Sequence, residues 1–222
     1  MCGRKTLTKG KIEIIQELLV DDWNDDWTPS YNIAPSQITP ILIYNQRKVI
    51  KNMRWGLIPS WAKDIKIGNR LINARSETIT EKPSFRNLVK RNRCIVIADG
   101  YFEWKKSVNS KIPYYLSHPE KQILPMAGLW DKWIDGAQNE VYSYTVITTN
   151  ATELISHIHN RMPVILKPDN IKDWINTDTK EEKALSLLAS FNSRLNYYPV
   201  SQFVNSPHNN NEICIKPIDL HD

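Results

Sequence analysis

Cys94-Ile95-Val96-Ile97-Ala98-Asp99-Gly100 decides how the fold is read: an apolar run rich in β-branched residues stops at a turn-forming pair. Such a run reads as a strand. Working outward, residues 41–44, 49–55, 112–116, 123–129 and 141–148 are also short, β-branched or aromatic, and bounded by turn residues. They read as strands too. Apolar residues at helical spacing predict a helix over 11–20, followed by an acidic, tryptophan-bearing loop to Thr28-Pro29. Shorter helices are expected over 151–159, entered through Asn150 or Thr152, over 169–174 after Pro168, and over 181–191. Residues 197–218 read as loop and strand with an asparagine-rich interruption at 209–211. Strands outnumber helices and do not alternate with them. That pattern predicts an α+β fold with mainly antiparallel sheet rather than a doubly wound one. With 13 prolines against 7 glycines and no repeat or Gly/Ser linker, the loops are expected to be rigid parts of one compact unit.

Composition narrows the class. The chain has 222 residues, 41% hydrophobic and 24% charged, an ordinary soluble globular balance. Aromatics at 9% argue against dominant disorder. No apolar run approaches the roughly 20 residues that cross a bilayer, and Met1-Cys2-Gly3-Arg4-Lys5 lacks a secretory stretch, so a cytoplasmic protein is expected. A net charge of +5 favours a polyanionic partner only weakly. Cys2, Cys94 and Cys214 form no CxxC pair and no even set, so neither a disulfide framework nor a cysteine zinc site is expected. His157 and His159 have no matching ligand array, and there is no GxGxxG or P-loop. No metal and no cofactor is therefore expected.

Cys2 is the most informative residue. Removal of Met1 exposes a thiol beside a free α-amine whose reference pKa is about 7.7–8.0, so much of it is neutral near pH 7. Such a 1,2-aminothiol condenses with an aldehyde to a Schiff base, and its sulfur can then close a five-membered thiazolidine. It can alternatively attack an amide carbonyl through sulfur. As an isolated signal Cys2 is equally a plain second residue, but Gly3 allows close backbone approach and Arg4 can grip a phosphate. Glu103, between Phe102 and Trp104, is a carboxylate in apolar company, suited to acid–base work if desolvated; the plainer alternative is an edge-strand residue paired with Lys105. His159, before Pro163, is either a cap or a proton donor. Asn73-Ala74-Arg75-Ser76-Glu77 offers an amide and a phosphate-gripping guanidinium, or merely a turn with a cap. Arg54-Trp55-Gly56-Leu57-Ile58-Pro59-Ser60-Trp61 mixes a cation with two indoles, a stacking platform for unpaired bases, although Trp55 is expected in the core. Lys90-Arg91-Asn92-Arg93 reads as a solvated surface.

Taken in order, Met1-Cys2-Gly3-Arg4, Tyr31-Asn32-Ile33-Ala34-Pro35, Arg54 to Trp61, Asn73-Ala74-Arg75-Ser76-Glu77-Thr78, Cys94 to Trp104, Ala127-Gly128-Leu129-Trp130, Thr148-Thr149-Asn150-Ala151 and His159-Asn160-Arg161-Met162-Pro163 resemble the SRAP family. These are SOS response-associated peptidases, also described as abasic-site processing proteins. The resemblance implies one SRAP domain over residues 1–222, with a barrel-like core flanked by helices and a basic groove for single-stranded DNA. It implies self-removal of Met1 and a covalent crosslink from Cys2 to the aldehyde of an abasic site, shielding the lesion, with AP-lyase-type activity. Catalytic roles fall on Cys2, Asn73, Glu103 and His159. DNA contacts fall on Arg4, Asn32, Trp61, Arg75, Arg86, Thr149 and Arg161. The partner is single-stranded DNA containing abasic sites, with no membrane partner, a monomeric chain and nucleoid association on damage. Ser36 stands where many relatives carry threonine. Two other classes remain open: a noncovalent single-stranded nucleic-acid-binding module, and an N-terminal-cysteine glutamine amidotransferase, for which no glutamine-binding segment is found.

Overall fold

The computed structural model describes residues 2–107, 110–189 and 195–219. Among them run strands β1 (Lys5–Leu7), β2 (Ser30–Ile33), β3 (Ile38–Asn45), β4 (Arg47–Trp55), β5 (Asn73–Arg75) and β6 (Arg93–Ala98). They continue with β7 (Gly100–Lys106), β8 (Lys111–Ser117), β9 (Leu124–Ile134), β10 (Glu140–Asn150), β11 (Arg161–Pro163) and β12 (Asn196–Pro199). Helices α1 (Lys11–Leu18), α2 (Leu88–Arg91), α3 (Glu153–Ser156), α4 (Ile171–Ile175) and α5 (Glu181–Ser186) flank them. β4, β3, β6, β9 and β10 close on themselves, because β10 pairs with β9 on one side and β4 on the other. A second sheet runs β12-β8-β7-β1-β2 and is antiparallel throughout. Among the described strands, parallel pairing is confined to β10 with β4 and with β5, apart from a single parallel bridge between Asp22 and Val49. The fold is thus α+β with mainly antiparallel sheet, as the strand pattern predicts, and it has the barrel core that the family resemblance implies.

Closure explains the burial pattern. β6 is buried at every position, one side facing the barrel interior and the other covered by β1 and α4. Trp55 is wholly buried, stacked on Tyr144 at 6.2 Å, and its indole N–H donates to the Ile72 carbonyl at 3.0 Å. It is core, as expected.

Asp99 alone separates β6 of the barrel from β7 of the second sheet. Its buried carboxylate accepts from Thr6 Oγ1 at 2.5 Å and Thr8 Oγ1 at 2.7 Å, which pins β1 along β7. A Cβ on the next residue, Gly100, would stand 2.2 Å from the Tyr115 hydroxyl, so this close crossing requires glycine. Cys2 lies just ahead of the strand that these contacts hold.

Several expectations change. Gly100–Lys106 is itself a strand, because Asp99-Gly100 bends the chain from one sheet into the other without ending the pairing. β7 lies between β1 and β8; its pairing with β1 covers Gly100 and Tyr101, while Glu103 pairs with Tyr114 of β8. The helix expected over 151–159 is the single turn of α3, and that expected over 181–191 ends at Ser186, with 190 and 191 outside the described residues. Arg93 is not solvated: it is 2% exposed, its Nη1 donating to Val89 O at 2.6 Å and its other nitrogens to the carbonyls of Trp174 and Asn176. It satisfies carbonyls at the ends of α2 and α4, a cation's usual place at helix C-termini.

Candidate active site

Cys2 is completely buried just ahead of β1. Its carbonyl oxygen accepts from Asn73 Nδ2 at 2.8 Å. Asn73 can reach it because β5 runs parallel beside β10, with Asn73 opposite Val146. The backbone N–H of Arg4 turns toward the Cys2 sulfur. Burial, reinforced by the nearby Glu103 charge, pushes the thiol up to about 12, so it holds its proton at neutral pH.

Glu103 sits on β7, 4% exposed. Burial raises its carboxyl above the ordinary range, while the positive charge at the start of the chain pulls the other way. Glu103 and His159 line one cavity of about 390 Å³ together with Trp104, Lys106, Lys111 and Asn205. His159 Nδ1 accepts the Arg161 backbone N–H at 3.0 Å, an arrangement that assigns the proton of the neutral ring to Nε2. Burial lowers its pKa, so the neutral ring is favoured at physiological pH. The cavity therefore presents a carboxyl able to hold a proton and an imidazole able to exchange one, with an amide-anchored cysteine close by.

Comparisons with known proteins identify the family. The model of the SOS response associated peptidase family matches residues 1–207. The abasic site processing protein YoqW of Bacillus subtilis is 43% identical over 97% of this chain and 99% of its own. The chicken (Gallus gallus) abasic site processing protein HMCES is 32% identical over 99% of this chain and 79% of its own. The chain belongs to the SRAP family. A crystal structure of a Bacteroides thetaiotaomicron protein superposes with a TM-score of 0.88 at 28% identity, covering 98% of this chain and all of that one. The two chains therefore share one fold over nearly their whole lengths.

The SRAP chain brings Cys2, Asn73, Glu103 and His159 to one region, while the residues expected to meet DNA divide into two groups. Arg75 and Arg86 are exposed. Trp61 is 58% exposed and borders a groove of about 440 Å³ that Lys63, Lys66 and Arg70 also line. Thr149 is half-buried and opens onto another cavity with Ser76 and Glu77. The remaining three are engaged inside the protein. Arg161 holds Glu77 through both guanidinium ends, at 2.5 and 3.0 Å, and donates to the Thr148 carbonyl at 2.7 Å. Arg4 Nη1 donates to Asn32 Oδ1 and to the Val204 carbonyl, each at 2.7 Å. Asn32 is 1% exposed, and its Nδ2 donates to the carbonyls of Ser206 at 2.9 Å and Asn209 at 2.7 Å.

Sequence reasoning missed the C-terminal segment. Residues 202–215 dock through Arg4 and Asn32, and Asn205 Oδ1 accepts the Trp104 indole N–H at 2.8 Å at the cavity wall. Trp104 also receives the Arg4 guanidinium over its ring at 5.9 Å. Among the described residues no cluster of His, Cys, Asp and Glu could hold a metal ion, and no helix is long and apolar enough to cross a membrane.

Proposed function

We propose that this protein processes abasic sites in single-stranded DNA, crosslinking to them through Cys2 once Met1, which lies outside the described residues, has been removed. One observation carries the reading: the Cys2 backbone is held by Asn73, and its thiol feels the charge of Glu103, which lines one cavity with His159. The family relatives' names, abasic site processing proteins, support the same chemistry.

The steps follow from the groups. His159 exchanges a proton with the sugar as its hemiacetal opens to the aldehyde. The freed Cys2 amine adds to the aldehyde carbon, and Glu103 in its protonated form gives its proton to the departing hydroxyl, releasing water and leaving an iminium. The Cys2 sulfur then bonds to the iminium carbon, the C=N electron pair returns to nitrogen, and the thiol proton leaves. A lysine amine, with a reference pKa of about 10.4, forms only the Schiff base and has no sulfur with which to close a ring. Glu103 also supports the removal of Met1 and the reversal of the crosslink. Arg75, Arg86 and the Trp61 groove are offered to the strand as they stand. Arg161 reaches a phosphate by exchanging its hold on Glu77, and Thr149 lies along the same wall.

The test is a single-stranded oligonucleotide bearing one abasic site. The processed protein should give an adduct that survives heat and SDS; Cys2→Ala should give none, and Cys2→Ser at most a labile, reducible product. A persistent adduct in Cys2→Ala, or a gel shift with no covalent product in the wild type, overturns the reading in favour of another nucleophile or a binding module. Ammonia release from glutamine without DNA would instead identify an amidotransferase. Intact mass should show loss of Met1, and slower loss in Glu103→Ala; unchanged loss there removes self-processing from the scheme.

A further inference from the structure

Trp61 is held in the open by a row of side chains on the sheet beneath it. Ser143 of β10 and Asp131 of β9 stand opposite each other in the strand pairing, and Trp133 follows two residues along β9 on the same face. Each grips the loop that leaves β4. Ser143 Oγ accepts the Ile58 backbone N–H at 2.8 Å, and Asp131 Oδ2 accepts that of Ser60 at 2.8 Å. The Trp133 indole N–H donates to the Ala62 carbonyl at 2.7 Å. These grips fall on alternate residues, 58, 60 and 62. The backbone is therefore fixed on both sides of Trp61, while the Trp61 side chain stays 58% exposed.

A surface loop can be tied down without a carboxylate. Asp131 is nonetheless buried, and its two oxygens accept backbone N–H groups, those of Ser60 and Lys132, while Lys132 pairs its own charge with Glu140. An ionised acceptor makes the stronger hydrogen bond, and here it fixes the amide next to an outward-facing indole. Trp55, Trp104, Trp133 and Trp174 all donate their indole N–H inside the protein; Trp61 faces solvent. Beside it in the groove lie Lys63, Lys66 and Arg70, which form no ion pair among the described residues. The groove's carboxylate, Asp64, is engaged with the Lys66 backbone N–H at 2.9 Å. A base that stacks on an indole with a fixed backbone costs little ordering of the protein, and three unpaired cations suit the phosphates on either side of that base.

We propose that Asp131 and Trp133 are positioning residues for strand binding: by holding residues 60 and 62 they present Trp61 as the stacking face for one unpaired base. This rests on the single-strand reading above. Neither residue touches the strand, and each acts through the Trp61 indole. Every base has a face to stack, so the contribution is to affinity for any strand that carries bases, independent of the aldehyde chemistry at Cys2.

The experiment measures affinity by fluorescence anisotropy for two labelled probes. One is an oligothymidylate with no abasic site; the other is an oligomer of tetrahydrofuran residues, with the same phosphates and no bases. Trp61→Ala should bind the oligothymidylate about tenfold more weakly, the scale of one stacked base, and the base-free oligomer as wild type does. Trp133→Phe keeps a ring and loses the N–H; Asp131→Leu keeps the bulk and loses the acceptor. Each should weaken oligothymidylate binding about three- to fivefold with Trp61 present, and by less than about 1.5-fold when Trp61 is already alanine. That non-additivity is the deciding readout, because damage to the fold at large costs the same factor in both backgrounds. Equal factors in the two backgrounds overturn the proposal, as do single variants that bind like wild type or lose equally on the base-free oligomer. If Asp131→Leu does not fold, Trp133→Phe carries the same comparison alone. Wild type that binds neither probe overturns the single-strand reading itself. Failure of wild type to crosslink an abasic strand overturns the Cys2 chemistry and leaves this comparison intact, since neither probe holds an aldehyde.

Discussion

Asn73 on β5 donates its side-chain amide to the Cys2 carbonyl at 2.8 Å, so a residue paired with β10 sets the position of a nucleophile that leads into β1. The Asn73 Oδ1 is buried and has no hydrogen-bond partner among the described residues. Such an acceptor costs free energy when left empty, and it is well placed to receive a hydroxyl or an amine hydrogen during the reaction.

Replacing Asn73 by Asp keeps the shape but removes the donor to Cys2. Crosslinking to the abasic oligonucleotide should slow by ~10–100-fold, the usual penalty for a displaced reacting group, with little change in single-strand affinity. Single-turnover gels and a binding titration on the same preparation check both halves. Loss of affinity in step with rate would make Asn73 a DNA contact instead.

Asn32 carries a different expectation from the one its motif suggests. Its carboxamide joins Arg4 to the carbonyls of Val204, Ser206 and Asn209, holding the segment that supplies Asn205 to the cavity. Asn32→Leu strands these buried acceptors, which should cost about 2–3 kcal/mol. For a chain of this size that is a fall in Tm of ~5–10 °C. Calorimetry without DNA decides it: an unchanged Tm with weakened binding would restore Asn32 to the DNA path alone.

The contrast between these asparagines shows where sequence legibility ends. The barrel strands were readable because closure buries both faces and leaves uninterrupted apolar runs such as 94–98. Cys2, Glu103 and His159 were readable because each is chemically conspicuous among its immediate neighbours. Arg93 was not, since what makes it buried is a pair of carbonyls at 174 and 176 that no local pattern announces. The β7 strand was hidden by Asp99-Gly100, which usually signals a turn and here marks a crossing between sheets. Lys5, completely buried with its Nζ donating to the Ile97 carbonyl at 2.8 Å, was hidden by its type: a lysine in a short strand reads as surface until the sheet above it is known.

Arg161 and Glu77 form a two-pronged ion pair in which the arginine side chain is 11% exposed and the glutamate 43%. The guanidinium holds the Glu77 carboxyl below its usual range. If the arginine must leave this partner to meet a phosphate, the pair opposes DNA binding. Glu77→Gln should then tighten single-strand affinity by up to about fivefold at low salt, the scale of a partly exposed pair, and the gain should shrink as salt rises. Arg75 forms no ion pair among the described residues, and Arg75→Ala should weaken binding evenly across sequences and lower the salt slope by roughly one unit or less. Filter binding across a salt series tests both; weaker binding in Glu77→Gln would show that the carboxylate positions Arg161 rather than restraining it.

The Lys5 amine makes stability depend on pH with a definite sign. Its folded pKa is about 7, below the ~10.4 expected of an unfolded lysine. Between those values the unfolded chain binds more protons than the folded one, so raising the pH favours folding. Cys2 acts oppositely but later: its thiol is raised to about 12, so only above about pH 9 does the unfolded state release a proton that the folded state keeps. Tm should therefore climb between pH 7 and 9 through the lysine, then level as the thiol takes effect. Lys5→Met removes the titrating group and should flatten the climb, while Cys2→Ala should extend it beyond pH 9. Scanning calorimetry of the three proteins from pH 6.5 to 10 reads these slopes directly; a Lys5→Met curve parallel to wild type would show that the buried amine keeps an ordinary lysine pKa.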